Sequence, residues 1–437
     1  MSEEETQQQP GLVGRISKNI EMAKKGYEQL VHAIIRPPRA RYSLEQLGPQ
    51  EFTFLSKRFR RDDIEIITEP RKLKLKASLW TQDISDKNHE ATTKTMVVYL
   101  HGNASARVEV LPQLSFLLSQ NIYGVCSCDF TGSGKSDGDY VSLGYYERYD
   151  LECLLQHLQE LHGNIEIVLW GRSMGASTAL MHVSELTQSS IEREDGDHPD
   201  TTSMVKGVIC DSPFCSLLVL CEELVERARE QGIVVPGVIV SAAIAMIARS
   251  VNKLAQFSIY DIVPLDHTPT IGVPALFVVG ADDDFIPPHH SEALVETYQQ
   301  GISTNLLMVP GGHNDPRPEI VFESIEQFLK YRFESITESP LKVPNEMKAS
   351  YYRNPPWAYF RYSTIFKAHT PSTTQPTAAA AAATTTNTKN TDNTTNAEEE
   401  ELGMTQERQD DIQNKVNMML GGVGTEEKKE NSASDVE

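Results

Sequence analysis

The sequence predicts a doubly wound α/β fold: a mostly parallel sheet covered by helices on both faces, with antiparallel strands on its N-terminal side and a helical cap insertion. Three observations carry this expectation. Six fully apolar runs of strand length recur through the middle of the chain, which suits parallel strands buried on both faces. Most of them alternate with helix-length segments. Ahead of them lie two runs of period two, which read as antiparallel strands with one wet face.

The chain begins with apolar residues at three- and four-residue spacing, Leu12, Ile16, Ile20, Ala23, Tyr27, Leu30 and Ile34, with Arg15, Lys18, Lys24 and Lys25 on other faces. This pattern predicts an amphipathic helix ended by RPPR at 36–39, since proline cannot continue it. Two readings stay open for residues 12–35: a helix packed on the domain, or an interfacial helix touching an anionic membrane. The period-two runs follow, DDIEIITE at 62–69 and LKLKASLW at 73–80. The six apolar runs are TMVVYL (95–100), YGVCSCDF (123–130), IEIVLW (165–170), VKGVICD (205–211), ALFVVG (275–280) and NLLMVPG (305–311), with helical segments such as 145–161 and 291–300 between them.

Two insertions interrupt the alternation. TQSSIEREDGDHPDTTS (187–203) reads as a polar surface loop, and residues 212–265 read as a mostly helical cap. Within the cap, IVVPGVIVSAAIAMIA (233–248) falls short of the roughly 20 residues needed to span a bilayer, so no transmembrane segment is expected. Beyond position 333 come an aromatic-basic piece, YYRNPPWAYFRY (351–362), a Thr/Ala-rich stretch and acidic residues. The expected organisation is therefore an N-terminal extension (1–60), a catalytic domain (61–335, cap about 212–265), an aromatic-basic extension (336–368) and a disordered tail (369–437).

Composition narrows the function. With 437 residues, 39% hydrophobic and 23% charged, the chain can bury a large core, and its net charge of −21 disfavours a nucleic-acid partner. Six cysteines without a CxxC pair read as reduced thiols, and the N-terminus MSEEETQQQPG lacks both a secretory signal and a myristoylation signal. A cytoplasmic protein is expected, membrane-peripheral if the N-terminal helix binds lipid.

The chemistry concentrates in LWGRSMGAST, where Gly171, Ser173 and Gly175 stand in G-x-S-x-G spacing between an apolar strand and a helical segment. A serine hydroxyl becomes a useful nucleophile when a sharp strand-to-helix turn exposes it, and such a turn tolerates only tiny flanking residues. Acyl transfer also needs donors for an oxyanion. The N–H of Met174 follows the nucleophile, and that of Asn103 lies in YLHGNAS after an earlier strand, where His101 and Gly102 would order the loop. In such sites the acid follows a later strand and the histidine the last one; His313 in LLMVPGGHNDPRP stands there, whereas His289 and His290 come too early. A P-loop is excluded at Gly134-Lys135-Ser136, because the glycine required five positions earlier is Asp129.

Taken together, HGN (101–103), DFTGSGKSDG (129–138), GRSMG (171–175), GADDDFIP (280–287) and GGHND (311–315) resemble the α/β-hydrolase superfamily, and more narrowly the serine-aminopeptidase-like (hydrolase-4 type) intracellular proteins. The resemblance implies a Ser173, Asp283, His313 triad, an oxyanion hole at Asn103 and Met174, and no cofactor; Asp282 is the rival acid. It also implies carboxylic ester, thioester or lipid substrates, with a peptidase of the same fold as the alternative. A non-catalytic scaffold is the reading from another class. A metal site is not expected in GADDDFIPPHH, because successive aspartates diverge, adjacent helical histidines point about 100° apart, and both histidines should sit exposed at a helix start.

Overall fold

The computed structural model describes residues 31–83, 93–192, 203–230, 237–333 and 339–369, with positions 21, 24, 25 and 27–29. The expected N-terminal helix lies outside the described residues over 12–20, and so do the tail beyond 369 and positions 193–202 of the polar insertion. Among the described residues ten strands form one sheet: β1 (Glu51–Phe54), β2 (Lys57–Ile67), β3 (Lys74–Gln82), β4 (Lys94–Leu100), β5 (Gly124–Asp129), β6 (Ile165–Arg172), β7 (Val205–Asp211), β8 (Ala275–Gly280), β9 (Thr304–Val309) and β10 (Phe366–His369). Their spatial order is β10-β1-β2-β3-β5-β4-β6-β7-β8-β9. From β5 to β9 neighbouring strands run parallel, while β2 pairs antiparallel with β3, and β3 with β5. All six apolar runs are strands of the parallel part.

The helices are α1 (Leu111–Ser119), α2 (Glu147–His162), α3 (Met174–Glu192), α4 (Leu217–Glu230), α5 (Gly237–Ala255), α6 (Pro264–His267), α7 (Pro288–Glu296) and α8 (Glu319–Arg332). Alternation along the strands assigns them to faces, because successive side chains point to opposite sides of a sheet. In β4, Met96, Val98 and Leu100 join one core with Leu151, Leu154 and Leu158 of α2 and Ala176, Ala179 and Leu180 of α3. Val97 and Tyr99 join the other, with Leu114 and Leu117 of α1 and Ile325 and Leu329 of α8. Runs without polar positions are what such two-sided burial requires. This is the fold that the resemblance implies.

The cap, α4 and α5, grows from the first of these faces. Its apolar positions Leu217, Leu220, Ile244, Ile247 and Val251 enter the same core as Phe257 and Ile259. Where the structure describes the N-terminal helix, it packs on the domain: Val31 and Ile35 are buried, and Tyr27 Oη shares a 2.7 Å hydrogen bond with Ser250 Oγ of α5. The sheet reaches past the expected 61–335 span on both sides, because β1 pairs with β10. The aromatic-basic piece packs back on the fold: Tyr352 stacks on Phe322 with ring centroids 4.6 Å apart, and Trp357 meets Phe52 edge-on. The polar insertion begins later than expected, since α3 continues through 187–192. None of the described helices is long and apolar enough to cross a membrane.

Candidate active site

Strand order decides where chemistry can collect. β5 lies on one side of β4 and β6 on the other, so the loops after β4 and β6 diverge to opposite faces and leave a crevice at the carboxyl ends of the strands. Asn103 follows β4 and Ser173 follows β6.

Ser173 sits between β6 and α3 with φ of +51°, a left-handed conformation that a non-glycine residue adopts only when its surroundings enforce it. Its amide donates to Asp211 O at 2.7 Å, which pins the turn to β7. The flanking glycines are forced by close approach. A Cβ on Gly175 would lie 2.2 Å from Leu100 O, and one on Gly171 would lie 2.4 Å from the Ala176 amide. The turn therefore presses against the end of β4, and the position of a Gly102 Cβ would be 3.7 Å from Ser173 Cβ.

The loop after β4 is held from two directions. Buried His101 accepts the Phe130 amide on Nε2 at 3.1 Å, which leaves its proton on Nδ1, 2.7 Å from Gly102 O. Glu109 accepts the Gly102 amide at 3.1 Å. Asn103 turns its own side chain back, Oδ1 accepting from the Ala104 amide at 2.9 Å. Met174 opens α3 and is buried.

Beyond β8 the three aspartates separate. Asp283 is 3% exposed, and its Oδ2 lies 2.8 Å from His313 Nδ1. Its Oδ1 accepts the Ile286 amide at 2.8 Å and the Phe285 amide at 3.1 Å. Burial pushes the Asp283 carboxyl up, but the hydrogen bond and charge of His313, with the Ile286 amide and the Ser212 hydroxyl, outweigh it and hold the group below the usual carboxylate range. Asp282 is exposed and accepts the Gly311 amide at 3.2 Å; Asp284 is exposed as well. The structure thus joins Asp283, rather than Asp282, to His313. It does not join His313 to Ser173: among the described residues no hydrogen bond links the serine hydroxyl to His313, and Ser173 is largely buried, at 9% exposure.

Two residues that the motif reading passed over support this arrangement. Arg172, beside the serine, donates to His313 O at 3.2 Å and Asn314 Oδ1 at 2.7 Å, and it faces Glu109 at 3.9 Å. Arg317 donates to Asp211 Oδ1 at 2.7 Å and Oδ2 at 3.3 Å, to Ser212 Oγ at 2.9 Å and to Gly312 O at 2.9 Å. Two arginines therefore clamp the loop of His313 to the ends of β6 and β7. Their motifs showed them, as the second residue of GRSMG and the arginine of NDPRP, but not their partners.

One expectation is overturned next to the site. His290 is fully buried, not exposed, whereas His289 is exposed as expected, and the two rings stack with centroids 4.6 Å apart. Both Nε2 atoms meet one carboxylate: His289 lies 2.8 Å from Glu223 Oε1, and His290 lies 3.0 Å from Oε2. The cause is α4 of the cap, whose Glu223 reaches the Nε2 edges of both rings at the start of α7. Nδ1 of His290 accepts the Cys215 amide at 3.3 Å and lies 3.0 Å from Cys215 Sγ.

Residues 91–253 match the family model described as serine aminopeptidase, S33; the span holds Asn103, Ser173 and Met174 and stops before Asp283 and His313. The lysophosphatidylserine lipase ABHD12 of Xenopus tropicalis is 30% identical over 148 residues, 32% of this chain and 34% of that protein; the mouse protein is similar at 29% over 143 residues. The chain thus spans about a third of the length of these curated relatives. An uncharacterized membrane protein of Saccharomyces cerevisiae is 24% identical over 243 residues, 55% of this chain and 70% of the other. Among solved structures, the Pyrococcus furiosus esterase Pf2001 superposes with a TM-score of 0.48 at 23% identity, over 68% of this chain and 98% of its own.

Proposed function

We propose that this chain is a serine hydrolase of the α/β-hydrolase superfamily, cleaving carboxylic esters or thioesters through a Ser173, His313, Asp283 triad. The observation that carries the reading is the buried 2.8 Å bond between Asp283 and His313, in a loop that Arg172 ties to the strained turn of Ser173. His313 Nε2 takes the proton of Ser173 as the hydroxyl attacks the substrate carbonyl. Asp283 holds the Nδ1–H tautomer and stabilises the imidazolium. The amides of Asn103 and Met174 receive the oxyanion. His313 then returns the proton to the leaving alcohol or thiol, and water, activated by the same histidine, hydrolyses the acyl-enzyme.

Apo sites commonly have a long serine–histidine contact that tightens when substrate binds, so the missing Ser173–His313 hydrogen bond is compatible with this cycle. The likeness to a lysophosphatidylserine lipase over a third of the chain supports an acyl lipid or acylated protein as substrate, acting without a cofactor. Contact of residues 12–35 with a membrane would bring the site to such substrates. The serine aminopeptidase description of the matching family model favours a second reading, a peptidase of the same fold.

Labelling by a fluorophosphonate probe tests the nucleophile: wild type should label and Ser173→Ala should not, and equal labelling would refute the catalytic reading. A series of p-nitrophenyl esters and short peptides separates the two substrate classes. Faster turnover of medium and long acyl chains than of acetyl supports the lipid reading, and release of the N-terminal residue from the peptides supports the second.

A further inference from the structure

We propose that Glu223, His289 and His290 form a binding site for a borderline divalent cation of the zinc class, bridging the cap to the helix that follows the acid loop. The ligand atoms of these three side chains all lie within 4.8 Å of one another. Two imidazoles and one carboxylate, with further positions open to water, are the donor set of an open zinc site. The spacing is close to what the ion needs. Tetrahedral zinc with bonds of about 2.0–2.2 Å separates its ligands by roughly 3.4 Å, and the nitrogens here already lie 2.8 and 3.0 Å from the Glu223 oxygens. Both oxygens face a ring, so the carboxylate can bind through one oxygen or both.

The two histidines differ in a way that suits capture of an ion. The His289 side chain is 52% exposed and offers an entry path, while that of His290 is fully buried and offers a fixed anchor. Without an ion, the Cys215 amide on Nδ1 keeps the His290 proton on Nε2, facing Glu223. When an ion takes Nε2, that proton moves to Nδ1, where Cys215 Sγ at 3.0 Å accepts it as the outer-sphere partner. The exchange sacrifices the long 3.3 Å amide bond.

Position gives the site a consequence. Glu223 belongs to α4, and His290 lies on α7 seven residues after Asp283. An ion held here fastens the cap to the segment that carries the acid partner of His313, and so couples cation availability to cap position.

The test is a titration of the full chain with Co²⁺ alone, read by its visible d–d absorption, followed by displacement with Zn²⁺. Wild type and Ser173→Ala should bind one ion with the same affinity, which separates this site from the hydrolase reading. His289→Ala and Glu223→Gln, with unchanged far-UV circular dichroism, should each weaken binding by at least about tenfold. His313→Ala should leave binding intact. The proposal is overturned if wild type shows no d–d bands, if the bands survive both site variants, or if His313→Ala removes them, which would place the ion at the triad. A cluster that titrates with pH and binds no Co²⁺ would be a hydrogen-bonded latch and nothing more.

Discussion

Two carboxylate–imidazole clusters stand on either side of one short segment, and they differ in how the carboxylate is held. Asp283 is 3% exposed and meets a single imidazole, while two backbone amides and the Ser212 hydroxyl occupy the rest of it. Glu223 is 29% exposed and its side-chain partners are two imidazoles, one on each oxygen. The first carboxylate is fixed by the main chain of its own loop and has no freedom to change partners. The second rides on a cap helix and can exchange two hydrogen bonds for an ion. Preorganisation suits a group that must orient a proton acceptor on every cycle, because no reorganisation is needed at the moment of reaction.

The comparison breaks most visibly at Asp283. Asp283→Asn should lower kcat by about 10⁴-fold, because the amide presents a donor to Nδ1 and fixes the wrong histidine tautomer. Steady-state hydrolysis of a preferred ester checks it, and Asp282→Asn should stay within a few-fold of wild type on the same assay; the reverse pattern would exchange their roles. Next in size is the loop clamp. Arg317→Gln frees the carbonyl of Gly312 and leaves Asp211 without its bidentate partner, so kcat should fall by about 10–100-fold through misplacement of His313, with KM little changed. Partial recovery in Arg317→Lys would point to charge, and none to the planar fork.

A third imidazole sharpens the contrast from the side of stability. His182 is buried on α3, its Nε2 has no hydrogen bond and lies 3.6 Å from Glu152 Oε2, and burial pushes its pKa down from 6.5 to about 3. Its folded value lies below its unfolded one, so its contribution is complete above pH 6.5 and is lost as pH falls towards 3. Between those limits each unit of pH should remove about 1.4 kcal/mol, until global unfolding intervenes. Urea unfolding of wild type and His182→Gln at pH 7 and pH 5 measures it: the variant should show the shallower decline, and equal declines would assign the acid sensitivity elsewhere. Smallest of all, Glu223→Gln should leave hydrolysis within about threefold in metal-free buffer, since Glu223 bonds to neither Asp283 nor His313.

Much of this was legible in the residues. The parallel sheet followed from apolar runs whose two-sided burial leaves no room for polar positions, and the nucleophile turn followed from Gly171, Ser173 and Gly175 after such a run. His313 was readable as the candidate base because the chain order of a strand-edge site restricts where one can stand, and the resemblance pointed to Asp283 as the candidate acid, with Asp282 as its rival. The burial of His290 was not. Two prolines and a helix start suggested exposure, and only a cap helix from 60 or more residues upstream reverses it. Pairing of β10 with β1 was hidden for the same reason: four residues, FKAH, carry no strand pattern of their own, and the edge of β1 supplies it.

The sequence by itself determined the layered fold and the strained serine turn, and it marked His313 and the aspartates after β8 as the candidate base and acid, because each depends on local periodicity, tiny residues at a turn or order along the chain. Tertiary structure alone decided which aspartate of three faces His313, which arginines clamp its loop, and that Glu223 meets both histidines. Those outcomes depend on contacts between segments up to about 140 residues apart, whose relative placement is fixed by burial of the core and leaves no trace in local pattern.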